Sequence, residues 1–212
     1  MEFEIFKTRI PKIKKMQLPG EAAHQKMAPM QRIKELEAIN INERNPQKAG
    51  VMATFYPGLQ GETRLVLILR KTYRGVHSNQ VGFPGGRVEP EDIDLAETAL
   101  RETEEEVGIP REQIEIIKEL SRLYIPPSNF WVQPFLGIME ETPKLIPQEA
   151  EVEEILEVKL SDFLDESNLV SQNLTTSYAV DIEVPAYKLN GHIVWGATGM
   201  MLSEIRELLK KI

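Results

Sequence analysis

The sequence has no cysteine and no long apolar run. All 212 residues lack a thiol, which excludes disulfides, thiolate metal sites and cysteine nucleophiles. No segment approaches the roughly 20 consecutive apolar residues of a membrane span. The first nine residues alternate charged and apolar side chains, unlike the apolar centre of a signal peptide. We therefore expect a cytoplasmic protein without a membrane partner.

Basic residues are in the minority. The chain carries 25 Lys and Arg against 33 Asp and Glu, a formal net charge of −8, which argues against a general nucleic-acid binder. The imbalance is local, because residues 87–106 hold nine acidic and two basic side chains. Residues 1–35 have the opposite balance, with eight basic and four acidic side chains. A divalent cation bound at 87–106 would turn this acidic patch into one that attracts phosphate.

The order of the predicted elements indicates one mixed α/β domain over 1–212. Apolar residues at helical spacing predict an amphipathic helix over the first fifteen residues, inside a basic helical extension at 1–35. A turn between two apolar runs predicts an antiparallel hairpin. The hairpin strands and the later strands are predicted at 50–56, 64–69, 113–124, 131–139, 151–159 and 192–195. A short helix is expected at 160–165, and a longer helix is expected from about Thr198 to the end.

A further helix is predicted after residue 94, and its glutamates are unevenly placed. Asp94 with Glu97 three residues later is a capping-box pattern, and Gly108 closes the far end. At 100° per residue, three glutamates border the apolar face, whereas Glu97 and Glu104 point away. The three are Glu102, Glu105 and Glu106.

Glu102, Glu105 and Glu106 together form an acidic edge of the predicted helix, and two interpretations fit it. Clustered carboxylates repel one another, and a hard divalent cation such as Mg²⁺ or Mn²⁺ would offset that repulsion. A Glu-Glu-Glu run is otherwise simply a solvated helix face. Gly85 and Gly86, just upstream, offer backbone that a ligand can approach closely. Arg101 is able to reach a carboxylate or a phosphate. These neighbours favour a metal–phosphate site.

Residues 85–109 resemble the Nudix box, whose usual form is G-x5-E-x7-R-E-U-x-E-E-x-G-U, with U aliphatic. The pattern is filled by Gly86, Asp92, Arg101, Glu102, Thr103, Glu105, Glu106, Gly108 and Ile109. Three departures stand out: Asp at the first acidic position, an eight-residue spacer after it, and Thr103 at a usually aliphatic position.

The resemblance implies a Nudix fold, in which a mixed β-sheet lies between helices. It also implies hydrolysis of a nucleoside diphosphate linked to another moiety, with Mg²⁺ or Mn²⁺ as cofactor. Glu105 and Glu106 would be the principal metal ligands, with Glu102 as a further ligand or base. The Gly86 carbonyl would join them, and Arg101 would orient the carboxylates. Glu151, just before a predicted strand, stands where such enzymes often supply another carboxylate, as ligand or base.

A narrower resemblance, to coenzyme A pyrophosphatases, is carried by residues 66–86, 120–137 and 195–198. It implies cleavage of coenzyme A or its thioesters to 3′,5′-ADP and 4′-phosphopantetheine or its acyl form. Arg70, Arg74, His77 and the backbone of Gly85 are the predicted substrate contacts. The alternative is a solvated basic loop with a structural histidine.

Other substrates and another class of function stay open. ADP-ribose, dinucleotides and oxidised nucleotides are alternative substrates. A Nudix-fold domain that senses a nucleotide without cleaving it is the alternative outside enzymes, although such domains commonly lose the box glutamates that this chain keeps. The expected partner is a small-molecule nucleotide, and the N-terminal helix is expected either to pack on the domain or to form a homodimer.

Overall fold

Two β-sheets form the framework of the protein. The computed structural model describes residues 1–72, 79–174 and 182–212. In this part of the chain, the larger sheet contains β1 (Gln47–Pro57), β2 (Thr63–Arg70), β3 (Val81–Gly82), β4 (Gly85–Arg87), β5 (Glu115–Glu119), β6 (Leu123–Ile125), β7 (Phe130–Ile138) and β8 (Val152–Lys159). The smaller sheet contains β9 (Leu169–Leu174), β10 (Ile182–Leu189) and β11 (His192–Val194).

Helices flank these sheets. They are α1 (Phe3–Lys15), α2 (Glu21–Gln25), α3 (Met30–Ala38), α4 (Leu95–Val107), α5 (Leu160–Leu164) and α6 (Gly196–Leu209). Short 3₁₀ turns occupy Ile41–Arg44, Arg111–Gln113 and Glu166–Asn168. Among the described residues, no helix is long and apolar enough to cross a bilayer.

Strand β1 is central to the larger sheet. It runs parallel to β7 and antiparallel to β2 and β4, and the main path through the sheet is β3–β2–β1–β7–β5. Successive side chains of a strand point to opposite faces. Val51 and Phe55 accordingly belong to one apolar cluster, which includes residues of α1 and α6, whereas Met52 and Tyr56 belong to another, which includes residues of α4. The sheet is therefore covered on both faces, which confirms the mixed α/β expectation.

The N-terminal helix packs on the rest of the chain. The Phe6 side chain is fully buried, and its ring centroid lies 5.0 Å from that of Phe55. The backbone N–H of Phe3 donates to the Gly61 carbonyl at 2.8 Å. Lys7 pairs with Glu140 across this contact. The helix predicted for the first fifteen residues is confirmed, and its apolar face is used for packing within the chain.

The hairpin and most later strands are confirmed, with β1 and β2 antiparallel and Phe55 opposite Leu65. The single strand predicted at 113–124 is wrong. The chain there forms the end of a 3₁₀ turn and then β5 and β6, and between these two strands Ser121 donates its N–H to the Glu204 carboxylate at 3.0 Å. The last helix begins at Gly196, two residues earlier than expected.

Candidate active site

Helix α4 presents the acidic residues, and its ends are those predicted. The Asp94 carboxylate accepts the Glu97 N–H at 2.8 Å, which satisfies a free donor of the first turn. Gly108 ends the helix in the left-handed region with φ of 74°. The helix packs closely on β1, since a Cβ added to Gly50 would lie 2.2 Å from the Leu95 carbonyl oxygen. That close approach brings one edge of α4 against the backbone of β4.

The three glutamates at this edge differ in exposure. The side chain of Glu106 is 2% exposed, that of Glu102 is 15% exposed and that of Glu105 is 55% exposed. Glu97 and Glu104 lie on the other side of the helix and both pair with Arg111. The predicted separation of Glu102, Glu105 and Glu106 from Glu97 and Glu104 is confirmed. Within the first group, exposure to solvent increases from Glu106 through Glu102 to Glu105.

Glu106 is a buried carboxylate whose two oxygens have different surroundings. Its Oε2 accepts the Gly85 N–H at 2.8 Å. Its Oε1 lies 3.3 Å from Arg70 Nη1, an ion pair without hydrogen-bonding geometry, and accepts no hydrogen bond from the residues that the structure describes. The pKa of Glu106 is raised to about 7, chiefly by burial; Arg70 and the Gly85 N–H oppose the rise, and the charges of Glu102 and Glu151 contribute to it. A cation at Oε1 would favour the charged form.

Arg101 connects the loop before α4 with the acidic edge. Its Nε and Nη2 donate to the two carboxylate oxygens of Asp92 at 2.9 and 3.0 Å. Its Nη1 lies 3.1 Å from Glu102 Oε1 and 3.2 Å from Glu105 Oε2. The guanidinium holds the pKa of the Asp92 carboxyl well below its usual range. Asp92 is shorter than the usual Glu and is followed by an eight-residue spacer, yet it accepts two hydrogen bonds from Arg101.

Glu102 lies directly against the glycine loop. A Cβ added to Gly86 would lie 2.4 Å from Glu102 Oε1, so a larger residue there would displace that carboxylate. Burial raises the pKa of Glu102, Arg101 opposes the rise, and the charges of Glu105 and Glu151 add to it. Gly85 has φ of 146°, a left-handed conformation that favours glycine.

Glu151 faces the same cluster from the segment before β8. Its charge raises the pKa of both Glu102 and Glu106. The segment is fastened to α4, because the Gln148 N–H donates to the Glu106 carbonyl at 3.0 Å and the Glu151 N–H donates to the Gln148 carbonyl at 3.1 Å. An exposed carboxylate is thereby kept near the two glutamates of α4.

An open cleft adjoins these groups. It has a volume of about 480 Å³ and is lined by Arg87, Val88, Glu89, Pro90 and Glu102. The lining residues are one arginine, two glutamates and two apolar residues. A small polar molecule would therefore meet Glu102 at one wall of the cleft.

The donor set suits a hard divalent cation. Over the described ranges, no three carboxylate or imidazole side chains form a ready-made metal cage. Mg²⁺ usually keeps several waters and takes only one or two carboxylates together with substrate phosphates. The Oε1 of buried Glu106, which accepts no hydrogen bond from the described residues, and the mutual repulsion of the carboxylates match that kind of site.

Comparison with known proteins identifies the family. The sequence model of the NUDIX domain matches residues 49–176, more than half of the chain. The chain belongs to the Nudix family of hydrolases. Divalent metals are the general cofactors of Nudix hydrolases.

Individual Nudix relatives agree with this assignment. An uncharacterized Nudix hydrolase, NudL, of Photorhabdus laumondii is 31% identical over 150 residues, which cover 68% of this chain and 75% of that protein. Nudix hydrolase 15, mitochondrial, of Arabidopsis thaliana is 28% identical over 162 residues, 74% of this chain. The match spans 56% of the plant protein, little more than half of its length. The crystal structure of a MutT/nudix family protein from Enterococcus faecalis aligns with a TM-score of 0.50 at 16% identity, covering 92% of this chain and 75% of that one. This structural likeness supports the Nudix fold alone.

The Nudix fold brings together most of the predicted site residues. Those in one connected cluster are Arg70, Gly85, Gly86, Arg101, Glu102 and Glu106, with Glu105 on its solvent side and Glu151 opposite. Arg74 and His77 lie outside the described residues. The sequence patterns did not assign a partner to Asp92, although its place in the box could have suggested Arg101. The contact made by Gly50 carries no sequence signal beyond a glycine in an apolar strand.

Proposed function

We propose that this protein hydrolyses a nucleoside diphosphate linked to another moiety, with Mg²⁺ or Mn²⁺ as cofactor. One observation carries the proposal: the glutamates of α4 meet the glycine loop at the edge of a cleft, and one carboxylate oxygen of the buried Glu106 accepts no hydrogen bond from the described part of the chain. The domain over 1–212 is proposed as the unit that carries this activity.

Each residue of the cluster has a role in the proposal. Glu102, Glu105, Glu106 and the Gly86 carbonyl would hold the metal, and Arg101 would orient Glu102 and Glu105 through its contacts with both. Glu151 would act as a further ligand or as a base. A bound divalent metal would neutralise diphosphate oxygens and lower the pKa of a bound water. The protein itself then contributes positioning and electrostatic stabilisation.

Coenzyme A or an acyl-coenzyme A is the substrate that we propose, with 3′,5′-ADP and 4′-phosphopantetheine, or its acyl form, as products. The support is the resemblance of residues 66–86, 120–137 and 195–198 to coenzyme A pyrophosphatases. ADP-ribose, dinucleotides and oxidised nucleotides are the alternatives. A sensing domain without catalysis is less well supported, because Glu102, Glu105 and Glu106 are all present at the acidic edge.

A substrate panel tests the proposal. Purified protein is incubated with coenzyme A, ADP-ribose, a dinucleoside polyphosphate and an oxidised nucleotide, each with Mg²⁺ or Mn²⁺, and products are separated by chromatography and mass spectrometry. We expect 3′,5′-ADP from coenzyme A and no product with a chelator. Turnover of ADP-ribose without turnover of coenzyme A would reject the coenzyme A assignment. Binding of a nucleotide with no hydrolysis of the panel would favour a sensing domain.

The location, the partner and the oligomeric state of the protein are also proposals. We propose a cytoplasmic location, a small-molecule nucleotide partner rather than nucleic acid or membrane, and a homodimer. Cell fractionation tests the location, and light scattering on the purified protein tests the oligomeric state.

A further inference from the structure

Arg70 lies at the end of β2, where the pairing with β8 is irregular. Leu69 is opposite Glu154 and Arg70 is opposite Val152, so the register shifts by one residue between them. The extra residue, Glu153, stands in β8, and bulges occur often beside active sites. The Arg70 side chain leads from this bulge to the glycine loop, 15 residues further along the chain.

Arg70 makes two contacts there, and they close a ring of three groups. Its Nη2 donates to the Gly85 carbonyl at 2.6 Å. Its Nη1 lies 3.3 Å from Glu106 Oε1. The Gly85 N–H donates to the other oxygen of Glu106 at 2.8 Å. Both polar groups of the Gly85 backbone are therefore held, one by Arg70 and one by Glu106.

We propose that Arg70 is a positioning residue, which fixes the Gly85–Gly86 backbone relative to Glu106, and that it does not bind the substrate. This inference rests on the proposed function for its catalytic consequence. A planar guanidinium can donate one N–H group to the Gly85 carbonyl while a second faces the Glu106 carboxylate at a fixed spacing, which a lysine ammonium cannot do with the same geometry. Gly85 has φ of 146° and needs such support, since an unusual backbone conformation persists only where its surroundings hold it.

Arg70→Gln tests the inference, and Arg64→Gln is its matched control. Both arginines lie on β2, and their side chains are 25% and 24% exposed. Arg64 pairs with Glu62 and Glu157, away from the glycine loop. Amide hydrogen exchange is measured by NMR on the metal-free proteins. We expect exchange at Gly85 and Gly86 to become about tenfold faster or more in Arg70→Gln, because local opening costs less. Arg64→Gln should match the wild type at both amides.

Steady-state kinetics on the substrate found by the panel separates positioning from substrate binding. For Arg70→Gln we expect kcat to fall about 10- to 100-fold with KM within about threefold, because misplacement of reacting groups lowers the rate of the bound state. A higher KM with unchanged kcat and unchanged amide exchange would overturn the inference in favour of a substrate contact.

Arg70→Lys covers the case in which Arg70→Gln does not fold. Lysine keeps the charge but presents no planar fork, so its effects on amide exchange and kcat should lie between wild type and Arg70→Gln. Wild-type behaviour of Arg70→Lys in both measurements would show that charge alone suffices and would contradict the positioning role. If the wild type hydrolyses none of the panel, the proposed function fails, and the amide exchange still decides whether Arg70 holds the loop.

Discussion

Glu105 differs from the other glutamates of the acidic edge because it is largely in solvent while its carboxylate touches Arg101. An exposed ion pair contributes little to stability. A role in metal binding would nevertheless make the same side chain essential for turnover. Stability and activity should therefore separate at this position.

We expect Glu105→Gln to lower kcat about 100-fold or more, because a negative ligand is lost at the proposed metal site. Its free energy of unfolding should change by less than about 1 kcal/mol. Glu104→Gln is the matched control: it removes the same charge from the preceding residue, whose carboxylate pairs with Arg111. Activity assays and urea unfolding compare the two. Equal activity in both variants would contradict the metal role of Glu105.

Glu106 predicts a pH effect on stability. Its pKa is about 7 in the folded protein against 4.5 for an ordinary glutamate, so the folded state binds the proton more tightly than the unfolded state. Ionisation above pH 4.5 therefore destabilises the metal-free protein progressively up to about pH 7. The neutral Glu106→Gln should gain stability relative to wild type between pH 5 and pH 8, by an amount on the order of 1–3 kcal/mol.

Urea unfolding with a chelator present measures this gain, and Glu105→Gln serves as the exposed control for the loss of one carboxylate. As pH rises, the free energy of unfolding relative to wild type should increase more for Glu106→Gln than for Glu105→Gln. The same gain in both variants would show that burial of Glu106 has no special effect.

Helix α4 and strand β1 meet at a contact that permits no side chain at Gly50. An added Cβ would lie 2.2 Å from the Leu95 carbonyl oxygen and 3.1 Å from the Ala99 nitrogen. These are backbone atoms, so a larger residue must move the helix. Since α4 carries Glu102 and Glu106, its displacement would also change their distance from β4.

We expect Gly50→Ala to lower the free energy of unfolding by about 1–3 kcal/mol through this overlap, and to reduce activity as well. Gly199→Ala is the control, because a Cβ at that position of α6 has its nearest neighbour at an ordinary 3.5 Å. Alanine there should be neutral or stabilising by up to about 1 kcal/mol. Thermal unfolding compares the two, and equal stability would show that α4 does not depend on the glycine.

The whole molecule includes its N-terminal helix. Phe6 packs in the same apolar cluster as the central strand, and Lys14 of α1 pairs with Glu115 of β5 at 2.7 Å. These contacts join the first residues of the chain to its middle. They support the proposal of one domain over 1–212, in which α1 unfolds together with the sheet.

We expect Phe6→Ala to destabilise the whole protein by about 3–5 kcal/mol, because a buried aromatic ring is removed, with a single unfolding transition. Ile5→Ala is the control, since Ile5 is 49% exposed on the same helix, and it should change stability by no more than about 0.5 kcal/mol. Circular dichroism during thermal unfolding distinguishes them. Loss of helix in a separate early transition would show that α1 is an independent appendage.

Much of this architecture followed from local patterns. The limits of α4 depended on Asp94 and Gly108, and the separation of its glutamates depended on the 3.6-residue period. The hairpin followed from two apolar runs around a turn. The break inside 113–124 could not be predicted, since it depends on Ser121 meeting Glu204, which is 83 residues away in the chain. The residues around Ser121 in the sequence do not indicate which distant residue it will contact.

The sequence alone determined the relative directions of the groups that we propose to carry the chemistry, because the spacing of Arg101, Glu102, Glu105 and Glu106 is short enough for one helix to set them. Tertiary structure alone decided their environment. Burial of Glu106 and its raised pKa depend on how closely α4 packs on β1 and β4. The contact of Arg70 with Gly85 joins the end of β2 to the glycine loop, 15 residues further along the chain. Helix periodicity is local, whereas desolvation and long-range pairing arise only when separate elements pack.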